Sequence, residues 1–416
     1  DLNIIIEMTH SQPISEKKTF TQLVLIKIKD SITYILNKKK YKTQTEKVDV
    51  LFFGNSDNNY RAFESILENL KNKNVKFRYL KDESDFPFIK SIYRSFPYIW
   101  DLLRKYKMSD KYHRNLIKES FLSYLFIYGK YLTAKEAIHN YQPRILVLAN
   151  DHSPMNRCFL KIATEYNIKT VYVQHASVSN KFPMLYFDYS FLDGEESFEK
   201  YSKKSKKGSK ILLSGASRYD RFYQTTICNK NKIGIAVNEY DDFEIVSKLC
   251  EKLIDSGFNN IIVRPHPSMG QWNKKWFILH NIEFSDASLT PPNDYLSELI
   301  LNISNISSIH LDASIIKIPT VQYQLSKKTI WDQYQYIDKK LVKQANNFSE
   351  LIEYIHNPQK IIPETSVVQY FVASAYSEYE GKVGKFIADY IEIILSGNNQ
   401  AERKIEEQYN IKTFNF

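Results

Sequence analysis

Short apolar runs alternating with longer amphipathic stretches constrain the fold of this chain more than any other feature. VDVLFF (48–53), VKFRYL (75–80), ILVLAN (145–150), TVYVQH (170–175) and KILLSG (210–215) read as strands covered on both faces, the kind that parallel sheets contain. Between them lie helical patterns: YRAFESILENLKNK (60–73), FPYIWDLLRKYKM (96–108), NLIKESFLSYLFIYGKYLTAKEAIHNY (115–141) and a helix from about Pro154 to Tyr166. Parallel strands need crossovers, so the pattern predicts an α/β class. After the polar stretch CNKNK a second series begins. It holds strands at IGIAV (233–237), NIIVRPHP (260–267), LILNIS (299–304) and TVQYQL (320–325), with helices at 242–256 and from Ser307. The expected division is therefore an N-terminal unit over 1–228, a C-terminal unit over 229–365, and a helix and tail over 366–416 that cross back or fray. A ligand cleft is expected between the two units. Residues 1–45 carry no pattern that assigns them.

The most suggestive motif lies where a buried strand surfaces, at Ile261-Ile262-Val263-Arg264-Pro265-His266-Pro267. Residues just past such a strand stand at the carboxyl edge of the sheet, where open α/β folds bind ligands. Each proline fixes its own φ and keeps the preceding residue extended, so Arg264 and His266 are presented rather than left to wander. A second strand end follows at Asn302 to Asn305, and Ser307-Ser308 then open a helix. Plain N-capping is one reading of that serine pair. The other is a phosphate site on free backbone N–H groups at a helix start.

On the first unit, Asp151 directly follows a strand, with His152 and Ser153 beside it and a helix start near Pro154. It reads either as a capping residue or as a carboxylate at the cleft edge. Gln174-His175 ends the next strand at the same edge. Arg218, in GASRYD, can meet a carboxylate or phosphate, but a structural ion pair with Asp220 is the expected arrangement.

His266-Pro267 after a strand, then a serine pair on a helix start some forty residues on, resembles the HP and Ser/Thr motifs of bacterial GT-B glycosyltransferases that use CMP-activated acidic sugars. These include sialyl- and polysialyltransferases and the Kdo transferases of capsule and lipopolysaccharide assembly. LANDHSPMNR, VYVQHASVS, FPMLYFDYSFLDGEESFEKY and LLSGASRYDRF are similar to acceptor-side segments of the β-Kdo transferases and related capsule enzymes, and the likeness spans roughly residues 140–325. It implies a GT-B fold of two Rossmann-like domains and transfer of an ulosonic acid to a surface glycan or glycolipid. The nucleotide would be held by Arg264, His266, Pro267, Ser304, Ser307 and Ser308. His152, Gln174, His175, Asp193 and Arg218 would face the acceptor or sugar. The resemblance implies Asp151 as catalytic carboxylate and His266 as donor to the departing phosphate. Asp151 would be a base if configuration inverts and a nucleophile if it is retained, and the Asn-Asp match favours the nucleophile. Asp193 in Leu192-Asp193-Gly194 matches the acidic-acidic-Gly motif of sialyltransferases only in part, since the first acid is missing. CDP-polyol phosphotransferases resemble the same HP and Ser-Ser region and form the alternative, beside a non-catalytic scaffold.

Several classes are set aside. YDDFE (240–244) imitates an acidic metal motif but falls at a helix start, where acids complement the dipole. No His/Cys cluster has metal-ligand spacing and no phosphate-loop motif occurs, so neither metal nor cofactor is expected. The net charge of +10 concentrates at Lys203, Lys204, Lys206 and Lys207 and at Lys38 to Lys40 with Lys42. These runs read as solvated faces or as attraction to an anionic inner-membrane surface, and no motif supports nucleic-acid binding. Cys158, Cys228 and Cys250 lack paired spacing, no apolar run reaches the ~20 residues of a span, and no signal pattern opens the chain. The expected location is cytoplasmic, peripheral at the inner membrane.

Overall fold

A computed structural model describes residues 46–416 except 55, 82–87, 179–181, 183, 202–204, 225–230 and 329–330. Residues 1–45, including Lys38 to Lys42, and also Lys203, Lys204 and Cys228, lie outside the described residues.

The first half runs β1 (Val50–Gly54), α1 (Asp57–Leu70), β2 (Phe77–Lys81), α2 (Phe88–Ser95), α3 (Ile99–Met108), α4 (Lys111–Glu119), α5 (Phe121–Tyr141), β3 (Ile145–Leu148), α6 (Pro154–Glu165), β4 (Lys169–Val173), β5 (Tyr189–Leu192), α7 (Glu195–Tyr201) and β6 (Lys210–Leu213). The second half runs β7 (Lys232–Val237), α8 (Phe243–Asp255), β8 (Ile261–Pro265), α9 (Lys274–Leu279), β9 (Glu283–Phe284), α10 (Pro292–Ser297), β10 (Leu299–Ser304), α11 (Ile309–Ile315), β11 (Thr320–Tyr323), β12 (Lys343–Ala345) and α12 (Phe348–His356). The chain closes with α13 (Thr365–Phe371), α14 (Val383–Ser396), α15 (Asn399–Gln408) and β13 (Lys412–Asn415).

Two sheets result, ordered β13-β6-β5-β4-β3-β1-β2 and β12-β11-β10-β7-β8-β9. Every pairing is parallel except that of β13 with β6. The continuous apolar runs have the expected cause, a cover of helices on both faces. Leu51, Phe53, Leu146 and Leu148 pack to one side with Ala134 and Ile138 of α5 and Phe159 of α6. Val50, Phe52, Ile145 and Val147 pack to the other with Phe63 and Ile66 of α1 and Phe386 and Tyr390 of α14. A fully buried side chain of this size contributes roughly 1.5–3 kcal/mol.

The last segment of the chain thus covers the first sheet rather than the second. The carboxylate of Asp220 fixes that return by accepting the main-chain N–H groups of Val383 (3.1 Å) and Gly384 (2.7 Å) and the Ser65 hydroxyl (2.7 Å). The polar tail forms helix α15 and edge strand β13. The apolar stretch read as one helix over 115–141 is two, α4 and α5, broken at Ser120.

Candidate functional site

The turn after β3 sets the first edge. Asn150 Oδ1 accepts the main-chain N–H groups of His152 (3.0 Å) and Ser153 (2.7 Å), and Ser153 is the N-cap of α6. Capping is thus done by Ser153, and the Asp151 side chain turns inward. It is wholly buried, with Oδ2 accepting the Tyr201 hydroxyl (2.7 Å) and Oδ1 bonded to His152 Nδ1 (2.8 Å). The Tyr201 hydroxyl is itself hydrogen-bonded to that of Tyr172. The carboxylate is thus not open at the cleft edge, where the sequence reading put it. The group that faces outward is His152, whose side chain keeps 20% exposure and packs against Phe182 at 4.8 Å. With Nδ1 turned to Asp151, its outward atom is Nε2. The Asp151 carboxylate orients the ring, as in a His–Asp pair.

His175, at the end of β4, sits in the field of Asp151 and His152. Burial lowers its pKa to about 4, so the ring is neutral, and its Nδ1 has no hydrogen-bond partner among the described residues. An unpartnered buried nitrogen beside an exposed imidazole is a group that a ligand can satisfy.

Gln174, Asp193 and Arg218 are occupied with one another. Arg218 Nη1 donates to Asp193 Oδ1 (3.0 Å), and a second guanidinium nitrogen bonds Oδ2. Gln174 Nε2 donates to Ser197 Oγ (2.9 Å) and the Ala176 carbonyl (3.0 Å), while its Oε1 accepts the Asp193 N–H (3.0 Å). These bonds lock the ends of β4, β5 and β6 together. The expected Arg218–Asp220 pair does not form. The turn at 217–219 sends Arg218 toward β5, and Asp220 points to α14. Acceptor contact by the Asp193 carboxylate or the Gln174 amide is likewise corrected, since their side-chain atoms are spent on this clamp.

At the second edge Arg264 is buried. Its Nη1 donates to Ser285 Oγ (3.0 Å), and the guanidinium lies 5.3 Å over the Tyr295 ring. Among the described residues no carboxylate forms an ion pair with it, and burial lowers its pKa. His266 follows with its ring exposed and its N–H on the Val237 carbonyl (2.8 Å). Its Nδ1 accepts the Ser268 N–H (3.3 Å), and the Ser268 hydroxyl, 2.7 Å from Nδ1, also donates to Glu239. Nε2 is left facing outward, and it donates when Nδ1 is the acceptor or when both ring nitrogens carry a proton. Pro267, exposed, opens the short turn 267–269.

Ser304 does not join this group. It is fully buried and donates to the Ala236 carbonyl within the sheet (2.7 Å), which corrects its assignment to the nucleotide. Ser307 Oγ accepts the Ile309 N–H at 3.4 Å, and exposed Ser308 stands at the N-cap of α11 without a side-chain capping bond. Asn305 pins the loop they ride on. Its Nδ2 reaches Asp241 (2.9 Å), and its carbonyl bonds the Nε2 of buried His310 (2.7 Å). The acids of YDDFE serve this anchoring: Asp241 takes the Asn305 amide, and Asp242 Oδ2 takes the Lys327 N–H (2.6 Å). No group of three or more metal-ligating side chains occurs among the described residues.

The two edges approach through residues that the sequence did not single out. Tyr219 donates to Asp312 of α11 (2.7 Å), and the hydroxyls of Ser177 and Tyr336 are 3.1 Å apart. Burial pushes the Asp312 pKa up, while the Tyr219 bond and the charges of Arg218, Arg61 and Arg264 oppose that shift. Arg61 on α1 and Arg264 on β8 feel one another across the gap. Asp312 lies one helical turn past Ser308, a spacing that could have flagged it. Tyr201 is fifty residues from Asp151, and no local signal marks it.

No family model matches the chain, and no curated protein matches it. Among solved structures it is similar to UDP-GlcNAc 2-epimerase from Neisseria meningitidis bound to UDP-GlcNAc (TM-score 0.55, 11% identity, covering 83% of this chain and 99% of that one). It is also similar to a putative UDP-N-acetylglucosamine 2-epimerase from Listeria monocytogenes (TM-score 0.53, 12% identity, 85% and 98%). A third is the calicheamicin glycosyltransferase CalG4 (TM-score 0.54, 9% identity, 85% and 99%). The likeness is one of fold: two Rossmann-like domains with parallel sheets facing a cleft, the GT-B arrangement.

Proposed function

We propose that this chain is a metal-independent glycosyltransferase that moves an ulosonic acid from its CMP donor to a cell-surface glycan or glycolipid. The observation that carries the reading is the buried guanidinium of Arg264, in no ion pair among the described residues, at the sheet edge that also carries His266. A buried cation without an ion-pair contact is costly unless a ligand supplies the anion. The donor phosphate is that anion, held by Arg264, His266 and Pro267 together with the Ser307-Ser308 turn.

On the facing lobe His152 Nε2 takes the proton from the acceptor hydroxyl, and Asp151 stabilises the resulting imidazolium. The acceptor oxygen bonds to the anomeric carbon as the bond to the CMP oxygen breaks. His266 donates to the phosphate oxygen as its charge grows. A single displacement inverts the configuration. His175, with its open Nδ1, takes a hydroxyl of the sugar or the acceptor.

The test is CMP release from CMP-Kdo, CMP-sialic acid and CMP-pseudaminic acid, with CDP-glycerol as the contrasting arm. CMP release from one of the sugars, lost in His152→Ala, supports the reading. Transfer of glycerol phosphate from CDP-glycerol replaces it with a phosphotransferase. Turnover and nucleotide binding both absent would leave a scaffold.

A further inference from the structure

Away from the cleft, the segment from α2 to α4 presents an unusual surface. Residues 88–119 carry eight Lys or Arg against three acids, a dense share of the net charge of +10. The same segment exposes Tyr93 (66%), Phe96 (53%), Trp100 (76%), Met108 (79%) and Tyr112 (57%). On α3 these alternate by face: Trp100, Arg104 and Met108, at i, i+4 and i+8, share an outward stripe, while Leu102 is buried. Lys107, Lys111, Arg114 and Lys118 are also exposed. Large apolar side chains interleaved with solvated cations are disfavoured on a surface meeting only water, and they match the headgroup region of an anionic bilayer.

A second observation points the same way. Behind α3, against α5 and α6, lies a cavity of about 570 Å³ lined mostly by aromatic and aliphatic groups, including Tyr98, Tyr128 and Leu132, with three cations, Lys105, Arg157 and Lys161, and one acid, Glu165, in its wall. Tyr98 and Lys105 belong to the same stretch as the exposed Phe96, Trp100, Arg104 and Met108. An apolar recess with cationic wall groups suits a lipid better than a nucleic acid, which needs stacking platforms along a groove.

We propose that the outward face of α2, α3 and α4 docks on an anionic lipid bilayer. Trp100, Phe96 and Met108 enter the interface, and Arg104, Lys107 and Lys111 meet lipid phosphates. Arg104 keeps only a longer contact with Asp101 (3.6 Å), whereas Lys206, in the lysine run near residue 205, is paired with Asp188 (2.9 Å). The proposal does not depend on which donor the cleft takes.

Co-sedimentation of the full chain with phosphatidylglycerol/phosphatidylcholine vesicles and with pure phosphatidylcholine vesicles tests it. Binding to the anionic vesicles alone is expected, weakened at high salt. The double variant Phe96→Ser/Trp100→Ser is expected to lose at least tenfold in vesicle affinity, and so is Arg104→Glu/Lys107→Glu. Both variants should keep the wild-type Tm and wild-type hydrolysis of soluble donor, so failure here is separable from failure of the cleft chemistry. Wild-type protein that ignores anionic vesicles, variants that bind them as wild type does, or binding of single-stranded RNA in preference to vesicles would each overturn the proposal.

Discussion

At the residue scale the account turns on Asp151 and His152 as one unit. Asp151→Asn keeps the shape of the buried side chain and its bond to Tyr201 but removes the charge that orients the imidazole. Turnover is expected to fall by about 10²–10⁴, with nucleotide affinity within about twofold of wild type in calorimetry. Ser304→Ala separates structure from chemistry. It removes a bond inside the sheet, so thermal unfolding should show a loss of about 1 kcal/mol while KM for the donor stays put. The sequence placed Asp151, His152, His175, Arg264 and His266 at strand ends because strand ends are readable as breaks in apolar runs. It could not show which side chains turn inward. Ser304 and Asp193 are of residue types that ligand sites use, and their partners, Ala236 and Arg218, are distant in sequence.

At the scale of elements, the clamp of Gln174, Asp193 and Arg218 holds three strand ends in register beneath the site. Burial raises the Asp193 pKa, and the Arg218 charge opposes it, so each needs the other. Arg218→Ala leaves an uncompensated carboxylate and is expected to cost about 3–5 kcal/mol in denaturant unfolding. Gly215 has a φ of +77°, and a Cβ there would stand 2.1 Å from Ser374 Oγ, so Gly215→Val should cost at least as much as the clamp variant. Apolar runs bounded by turns gave away most strands and the crossover helices. The break at Ser120 was hidden because Leu116 and Ile117 and then Phe121 and Leu122 keep a helical spacing across it, and the tail was hidden because a polar edge strand has no apolar run to betray it.

At the scale of the molecule, two buried histidines tie stability to pH. Burial lowers His175 and His310 to about 4, against an ordinary value near 6.5. Each binds its proton more readily in the unfolded chain, so stability is fully present above about pH 6.5 and is lost as pH falls toward 4. Per histidine the loss is roughly 2–3 kcal/mol. Urea unfolding at pH 7 and pH 4.5 should show it, and His310→Gln should flatten the slope between them. The return of α14 and β13 to the first sheet makes the chain's end part of the first lobe's core. Truncation after Gly397 uncovers the edge of β6 and is expected to yield aggregating protein, seen as lost monomer in size-exclusion chromatography. The likeness to solved structures is one of fold, and the donor is set by the cleft residues.

The decisive measurement is therefore CMP release and product configuration with purified protein, a panel of CMP-ulosonic acids and a glycan acceptor, for wild type and for Asp151→Asn. The account expects CMP from at least one donor, an inverted linkage and no protein-bound sugar by intact mass, with turnover in the variant at most about one hundredth of wild type. A sugar adduct on Asp151 with retained configuration, or equal turnover in the two proteins, would contradict it.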